Sequence, residues 1–256
     1  MTILDAIVLG IVEGTTEFLP ISSTGHLILT TDLLHVVETD FAKTFIIVIQ
    51  LGAILAAAVL YWRRLLLDPR TLAITTVAFI PTGIVGFALY EVIKAFLGNP
   101  AIVLWSLLIG GILLLLIERW LRDRPVSIHS VRDISYRQAA VIGTCQALSM
   151  IPGVSRSAAT IMTGLLLGVD RKAIVEFSFI LAIPTMIAAS AYEIYKTHKQ
   201  MNLAEFDLLA IGFIVAFVLA ILTIKFLLRF VQMHTFNAFG VYRIIAAIAL
   251  WLIVLR

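Results

Sequence analysis

The chain has 256 residues, of which 61% are hydrophobic and only 14% charged, and its mean hydropathy is +1.05. An ordinary globular domain carries about a quarter charged residues, so there is too little polar surface here to coat a water-soluble particle, and the composition predicts an integral membrane protein. The net charge is +3, and the single cysteine, Cys145, excludes an intramolecular disulfide and a cysteine-based metal cluster.

The opening MTILDAIVLGIVEGTTEF lacks the basic stretch and small-residue cleavage site of a signal peptide, so it is expected to belong to the mature fold. Residues 4–34 are apolar but broken at Pro20-Ile21-Ser22-Ser23-Thr24-Gly25-His26. The flanks fall short of the about 20 residues that a crossing needs, which predicts a helix, a turn and a helix that enter the membrane and return. Three spans are predicted next, over residues 44–62, 73–93 and 101–117. Residues 139–169 form a second interrupted block, broken at Pro152-Gly153-Val154-Ser155-Arg156-Ser157, and three more spans follow over residues 173–194, 208–228 and 238–255. Non-helical backbone at membrane depth is tolerated only where protein buries it or it lines a wet cavity. The two turns are therefore the expected site.

At an offset of about 132 residues the chain repeats itself: Gly10-x-x-Glu13 lies over Gly143-x-x-Gln146, Pro20 over Pro152, Ser23 over Ser155 and Phe45 over Phe177. Each half then holds one re-entrant hairpin and three spans, and an odd number of crossings turns the second half upside down. The expected fold is an all-α polytopic membrane protein with an inverted-topology repeat. It forms a single membrane domain over residues 1–256, with repeat one at about 1–121 and repeat two at about 134–256.

If the loop at residues 63–70 is cytoplasmic, twelve of the 19 Lys and Arg lie inside: Arg63, Arg64, Arg70, Arg119, Arg122, Arg124, Arg132, Arg137, Arg171, Lys172, Lys225 and Arg229. Lys43, Lys94, Lys196, Lys199 and Arg256 fall outside, and Arg156 and Arg243 within membrane segments. This bias follows the positive-inside rule and puts both termini on the outer face. No basic face is interleaved with stacking aromatics, which excludes nucleic acid as a partner.

Glu13 and Glu17 are four apart in an apolar helix and share a face. A carboxylate at mid-membrane costs at least about 2.5 kcal/mol on insertion scales, so a cation is expected to face them. They read as ligands for a divalent cation or as acid and base; the plainer alternative is a pair of capping or interfacial acids. Arg156, between Ser155 and Ser157 with Thr160 at a position that could open the next helix, suits an anion. Exposed backbone N–H groups, a helix N-terminus and the planar guanidinium fork all favour phosphate oxygens. The plainer alternative is an arginine that pairs with Glu13 or Glu17. Ser22, Ser23, Thr24 and His26 form the matching turn, where a nucleophile and its base, or a proton donor, could stand; serine and threonine also satisfy freed backbone where helices break. His35, His129, His198 and His234 read as solvated. Glu176 and Lys43, at equivalent places in the halves, are candidates for a supporting shell or an interface. Trp62, Trp105, Trp120 and Trp251 read as interfacial belt or packing.

The run Glu13-Gly14-Thr15-Thr16-Glu17-Phe18-Leu19-Pro20-Ile21-Ser22-Ser23-Thr24-Gly25-His26, followed by Pro152-Gly153-Val154-Ser155-Arg156-Ser157-Ala158-Ala159-Thr160, closely resembles the signature pair of bacterial undecaprenyl-diphosphate phosphatases of the bacitracin-resistance type. The likeness continues through Ala42-Lys43-Thr44-Phe45, Gln50-Leu51-Gly52 and Glu176-Phe177-Ser178-Phe179. The resemblance implies hydrolysis of undecaprenyl diphosphate to undecaprenyl phosphate and inorganic phosphate, recycling the cell-wall lipid carrier. It implies a multi-pass protein of the bacterial plasma (inner) membrane, a site open to the outer, periplasmic face, and dependence on a divalent cation, magnesium or calcium. Carried onto this chain, catalytic roles fall on Glu13, Glu17, Ser23, His26 and Arg156, phosphate binding on Thr24, Ser155, Arg156, Ser157 and Thr160, and metal binding on Glu13 and Glu17. The partners are a polyprenyl diphosphate lipid and the bilayer, with a homodimer as one possible assembly. The loop between Trp62 and Thr71 is short for the family. The rival class is a transporter or flippase of an anionic or lipid-phosphate substrate, since broken helices in inverted repeats are also built into carriers. A purely structural scaffold leaves Glu13, Glu17 and Arg156 unexplained.

Overall fold

The computed structural model describes residues 1–89, 92, 93, 96, 99–122, 124–197 and 205–254. Lys94, Lys199 and Arg256, expected on the outer face, and His198 and Leu255 lie outside the described residues. Among the described residues ten α-helices follow in chain order: α1 Ile3–Thr16, α2 Ser23–Leu33, α3 Asp40–Leu66, α4 Pro69–Ala88, α5 Pro100–Leu121, α6 Tyr136–Gln146, α7 Arg156–Leu166, α8 Arg171–Thr197, α9 Phe206–Met233 and α10 Asn237–Val254.

The helix starts are written in local chemistry. Thr2 and Asp5 cap α1 reciprocally, Ser135 and Gln138 do the same for α6, and Asp68 and Asn99 cap α4 and α5 ahead of a proline in the first turn. Five helices, α3, α4, α5, α8 and α9, are long and apolar enough to cross a membrane. Where a sixth full span was expected, α10 is a shorter apolar helix. The interrupted blocks fold as the two expected hairpins. Their arms, α1 and α2, α6 and α7, have 14, 11, 11 and 11 residues. At 1.5 Å per residue none reaches the about 30 Å of a hydrocarbon core.

Packing is reciprocal between the halves. The first hairpin's α1 lies on α9, the second hairpin's α6 lies on α4, and α5 pairs with α10. Glycine makes the closest approaches: a Cβ on Gly14 would stand 2.5 Å from the Ala216 carbonyl oxygen, and one on Gly143 would overlap that of Ala78. Polar ties gather one end of the bundle. Arg64 pairs with Glu176, Arg132 with Asp68 at 2.7 Å and Arg171 with Glu118 at 2.5 Å, while the Phe236 amide donates to Glu118 at 2.9 Å. Hydrogen bonds from Arg132 and Thr71 hold the Asp68 carboxyl well below the usual carboxylate range. Arg70 reaches the Arg132 and Ile134 carbonyls across the same end. The C-termini of α3 and α5 and the N-termini of α4, α6 and α8 thus meet in one basic region.

Glu176 belongs to that end, whereas Lys43, at the opposite end of α3, pairs with Glu38 at 3.3 Å on the surface. Neither supports the site. His35, His129 and His234 are exposed, as solvated residues should be.

Candidate active site

The two turns meet inside the bundle. The Ser157 hydroxyl donates to the Phe18 carbonyl at 2.9 Å, and that of Ser155, which also caps α7, reaches the Leu19 carbonyl at 3.4 Å. Thr160, fully buried, donates back to the Arg156 and Ser157 carbonyls and lies 2.8 Å from the Ser178 hydroxyl of α8. Of three residues expected to face a phosphate, Ser155 and Ser157 therefore use their hydroxyls to fasten one turn to the other, and Thr160 ties α7 to α8. Each turn contains a left-handed residue, Ser22 (φ 73°) in the first and Gly153 (φ 88°) in the second. Gly153 needs its missing side chain twice over, since a Cβ there would also press to 2.7 Å from the Val103 carbonyl oxygen. Ser22 pays a strain that non-glycine residues rarely carry, and in return caps α2 and turns its carbonyl toward His26.

Glu13 and Glu17, 1% and 8% exposed, stand at the end of α1 and just beyond it. Arg156, the first residue of α7, faces them. Its Nη2 lies 3.3 Å from Glu17 Oε1, and its Nη1 donates to the Ser178 carbonyl at 2.9 Å. The guanidinium also rests 5.5 Å from the centre of the Phe18 ring. The other Glu17 oxygen accepts from Ser23 Oγ at 2.5 Å. Glu17 thus joins a hydroxyl of the first turn to the cation of the second. Two buried atoms here find no partner among the described residues: Glu13 Oε1 and Arg156 Nε. One is an acceptor suited to a cation, and the other is a donor suited to an anion. The N-termini of α2 and α7 open onto the same region and add two positive dipole ends.

The sequence suggests Ser23 and His26 as a nucleophile and its base, but the geometry pairs them differently. His26 Nδ1 turns back onto the Ser22 carbonyl at 2.7 Å, and Nε2 lies 2.8 Å from the Tyr242 hydroxyl. One turn of α2 separates the Ser23 and His26 side chains, and the carboxylate that Ser23 meets is Glu17. Thr24, beside Ser23, is exposed.

Two residues of α10 belong to the site that the sequence reading did not select. Tyr242 stacks on His26, with ring centres 5.4 Å apart and planes within 5°. Arg243 is 1% exposed, and its guanidinium makes no ion pair among the described residues. It donates instead to the carbonyls of Pro20 at 3.3 Å, Gly153 at 3.1 Å, Ser106 at 2.9 Å and Leu107 at 3.4 Å. One side chain therefore ties both turns to α5, and at Pro20 and Gly153 it supplies the donors that the breaks leave those carbonyls without. A charge inside an 18-residue apolar helix is as costly for Arg243 as membrane depth is for Arg156, and that cost is the signal the sequence carries for Arg243.

The halves differ where chemistry would need charge. Gln146, the residue aligned with Glu13, is buried and donates to the hydroxyls of Thr82 at 3.2 Å and Thr185 at 3.1 Å. Only the first hairpin carries the acid pair. Among the described residues no group of three or more His, Cys, Asp and Glu is placed to hold a metal ion; Glu13 and Glu17 are the two buried carboxylates at this junction. Their carboxylate oxygens, one of them unpartnered, fit a hard divalent cation.

Comparison with known proteins gives a consistent picture. Residues 6–249 match the model of the family described as bacitracin resistance protein BacA. A relative from Sulfurihydrogenibium sp. (strain YO3AOP1), named undecaprenyl-diphosphatase, is 51% identical over 252 residues, which is 98% of this chain and 99% of that protein. Proteins of the same name from Aquifex aeolicus (strain VF5) and Wolinella succinogenes are each 49% identical, covering 96% and 97% of this chain and 96% of each relative.

Proposed function

The chain belongs to the bacitracin resistance protein BacA family, and from that premise we propose that the junction of its two turns is where undecaprenyl diphosphate is cleaved. The protein is a membrane phosphatase. It hydrolyses undecaprenyl diphosphate to undecaprenyl phosphate and inorganic phosphate, recycling the lipid carrier of cell-wall synthesis and conferring bacitracin resistance. The observation that carries the site is the pair of unpartnered buried atoms, Glu13 Oε1 and Arg156 Nε, which together ask for a cation and an anion within one enclosure.

Arg156 Nε and the N-terminal amides of α2 hold the terminal phosphoryl group, with Thr24 beside them. Ser23 Oγ attacks the terminal phosphorus while its proton passes to Glu17, against which it already lies at 2.5 Å. The bond from phosphorus to the bridging oxygen breaks, and undecaprenyl phosphate leaves. Water then cleaves the phosphoserine, releasing inorganic phosphate and restoring the serine. Ser155 and Ser157 keep the two turns in register, and Thr160 holds α7 against Ser178 of α8. Glu13 and Glu17 would hold a magnesium or calcium ion, whose charge would offset that of the diphosphate. The prenyl chain passes sideways between helices into the bilayer, which gives a phosphatase of this kind its reason to be a membrane bundle.

The metal reading is tested by phosphate release from an isoprenyl diphosphate by purified protein in detergent. A chelator is expected to lower the rate by about 100-fold or more, with magnesium or calcium restoring it. Release that ignores the chelator removes the metal from the glutamates.

The same reading makes the chain an inverted-topology repeat in the bacterial plasma membrane, its basic end cytoplasmic and its site open to the periplasm. Reciprocal packing of α1 on α9 and α6 on α4 supports the repeat, and the gathering of arginines at one end supports the orientation. Single cysteines at Arg122 and Lys196 are expected to label from opposite faces of the membrane; labelling from one face breaks the topology.

A further inference from the structure

His26 has every polar atom assigned. Its amide and Nδ1 both point at the Ser22 carbonyl, at 3.4 and 2.7 Å, and its own carbonyl accepts from Thr30 at 2.7 Å. A carbonyl oxygen can only accept, so Nδ1 carries the proton of the neutral ring and Nε2 carries the lone pair. That lone pair meets the Tyr242 hydroxyl at 2.8 Å, and the phenol ring lies parallel to the imidazole. Tyr242 comes from α10, more than 200 residues along the chain from His26, and is 44% exposed. Its neighbour Arg243 is pinned by four carbonyls, so the backbone beneath Tyr242 is fixed to the same two turns that build the site.

Resting on the reading that the turns form the phosphatase site, we propose that Tyr242 is a positioning residue that holds His26, whose tautomer the Ser22 carbonyl sets, in one ring plane at the mouth of that site. The hydroxyl serves both states of the imidazole. Toward the neutral ring it donates to Nε2. When a phosphate oxygen or water gives up a proton here, it reaches Nε2 through the hydroxyl, which passes its own hydrogen to the ring, keeps the incoming one pointing outward and accepts from Nε2–H. The contact therefore survives a proton moving through His26, and the ring need not swing to make or break it. A bond this exposed adds little to stability, so a purely structural role would leave turnover untouched when it is removed.

Tyr242→Phe keeps the stacked ring and deletes only the hydroxyl. Kinetics of phosphate release from an isoprenyl diphosphate should show kcat lowered about tenfold, KM within about twofold of the parent and an unchanged melting temperature in detergent. His26→Gln should be slower still, by about 100-fold or more, and adding Tyr242→Phe to it should cost nothing further. Parental kcat in Tyr242→Phe beside a slow His26→Gln overturns the role of Tyr242 and leaves the site standing. Parental kcat in both overturns the placement of His26 in the site as well. A rise in KM alone, or losses that multiply in the double variant, shows Tyr242 acting independently of His26 and overturns the proposal.

Discussion

Arg156→Lys lowers kcat/KM for phosphate release by about 100-fold or more, the range for removal of one preorganised donor to a developing charge. The substitution keeps the positive charge and loses the fork. In the parent, Nη1 is committed to the Ser178 carbonyl at 2.9 Å and Nη2 to Glu17 at 3.3 Å, which leaves Nε for the substrate. A lysine ammonium is a single point and cannot keep both anchors while presenting a third donor in a fixed plane. Because charge is conserved opposite Glu13 and Glu17, the variant should fold, and its melting temperature in detergent checks this. Near-parental turnover in a folded Arg156→Lys protein would refute the fork.

Glu17→Gln should cost more, about 1,000-fold in kcat, because one carboxylate performs two tasks besides its share in holding the metal. It takes the Ser23 proton across a 2.5 Å hydrogen bond and balances Arg156. Arg156 and Glu17 are both more than nine-tenths buried, so removing the acid leaves a cation without its partner, at about 3–5 kcal/mol for a buried pair. Glu17→Asp separates the effects. It retains the charge and supports folding, but its shorter side chain falls back from Ser23 and Arg156 together, so activity should stay low. A Glu17→Asp protein at parental rate shows that neither contact has to be made as the structure draws it.

The cost of charge in hydrocarbon explains which parts of this site can be read along the chain. Glu13, Glu17 and Arg156 stand out because a lone charge in an apolar run demands a reason, and the structure brings all three together. Arg243 obeys the same rule and differs only in its company. No Gly-Pro break or serine pair flags it, because its partners are backbone carbonyls, which leave no mark in the sequence. Ser178 and Tyr242 are invisible for another reason. A serine or tyrosine in an apolar helix is cheap, and its importance arises from helices that the sequence does not place side by side. The hairpins were legible because proline, glycine and serine interrupt otherwise continuous runs, and the interruption leaves arms too short to cross. The Ser23–Glu17 contact was not, since proximity in sequence favours His26, whereas the direction of a side chain at a left-handed turn decides for Glu17.

The central claim is that undecaprenyl diphosphate is cleaved where the two turns meet, with Glu17 joining them. A ³¹P NMR time course of an isoprenyl diphosphate, run on the parent and on folded Glu17→Asp in detergent with magnesium, tests it most directly. The parent should convert the paired diphosphate resonances into equal amounts of monoester and inorganic phosphate, while the variant leaves the diphosphate intact over the same period. An unchanged diphosphate with the parent, or parental conversion by the variant, would contradict the account.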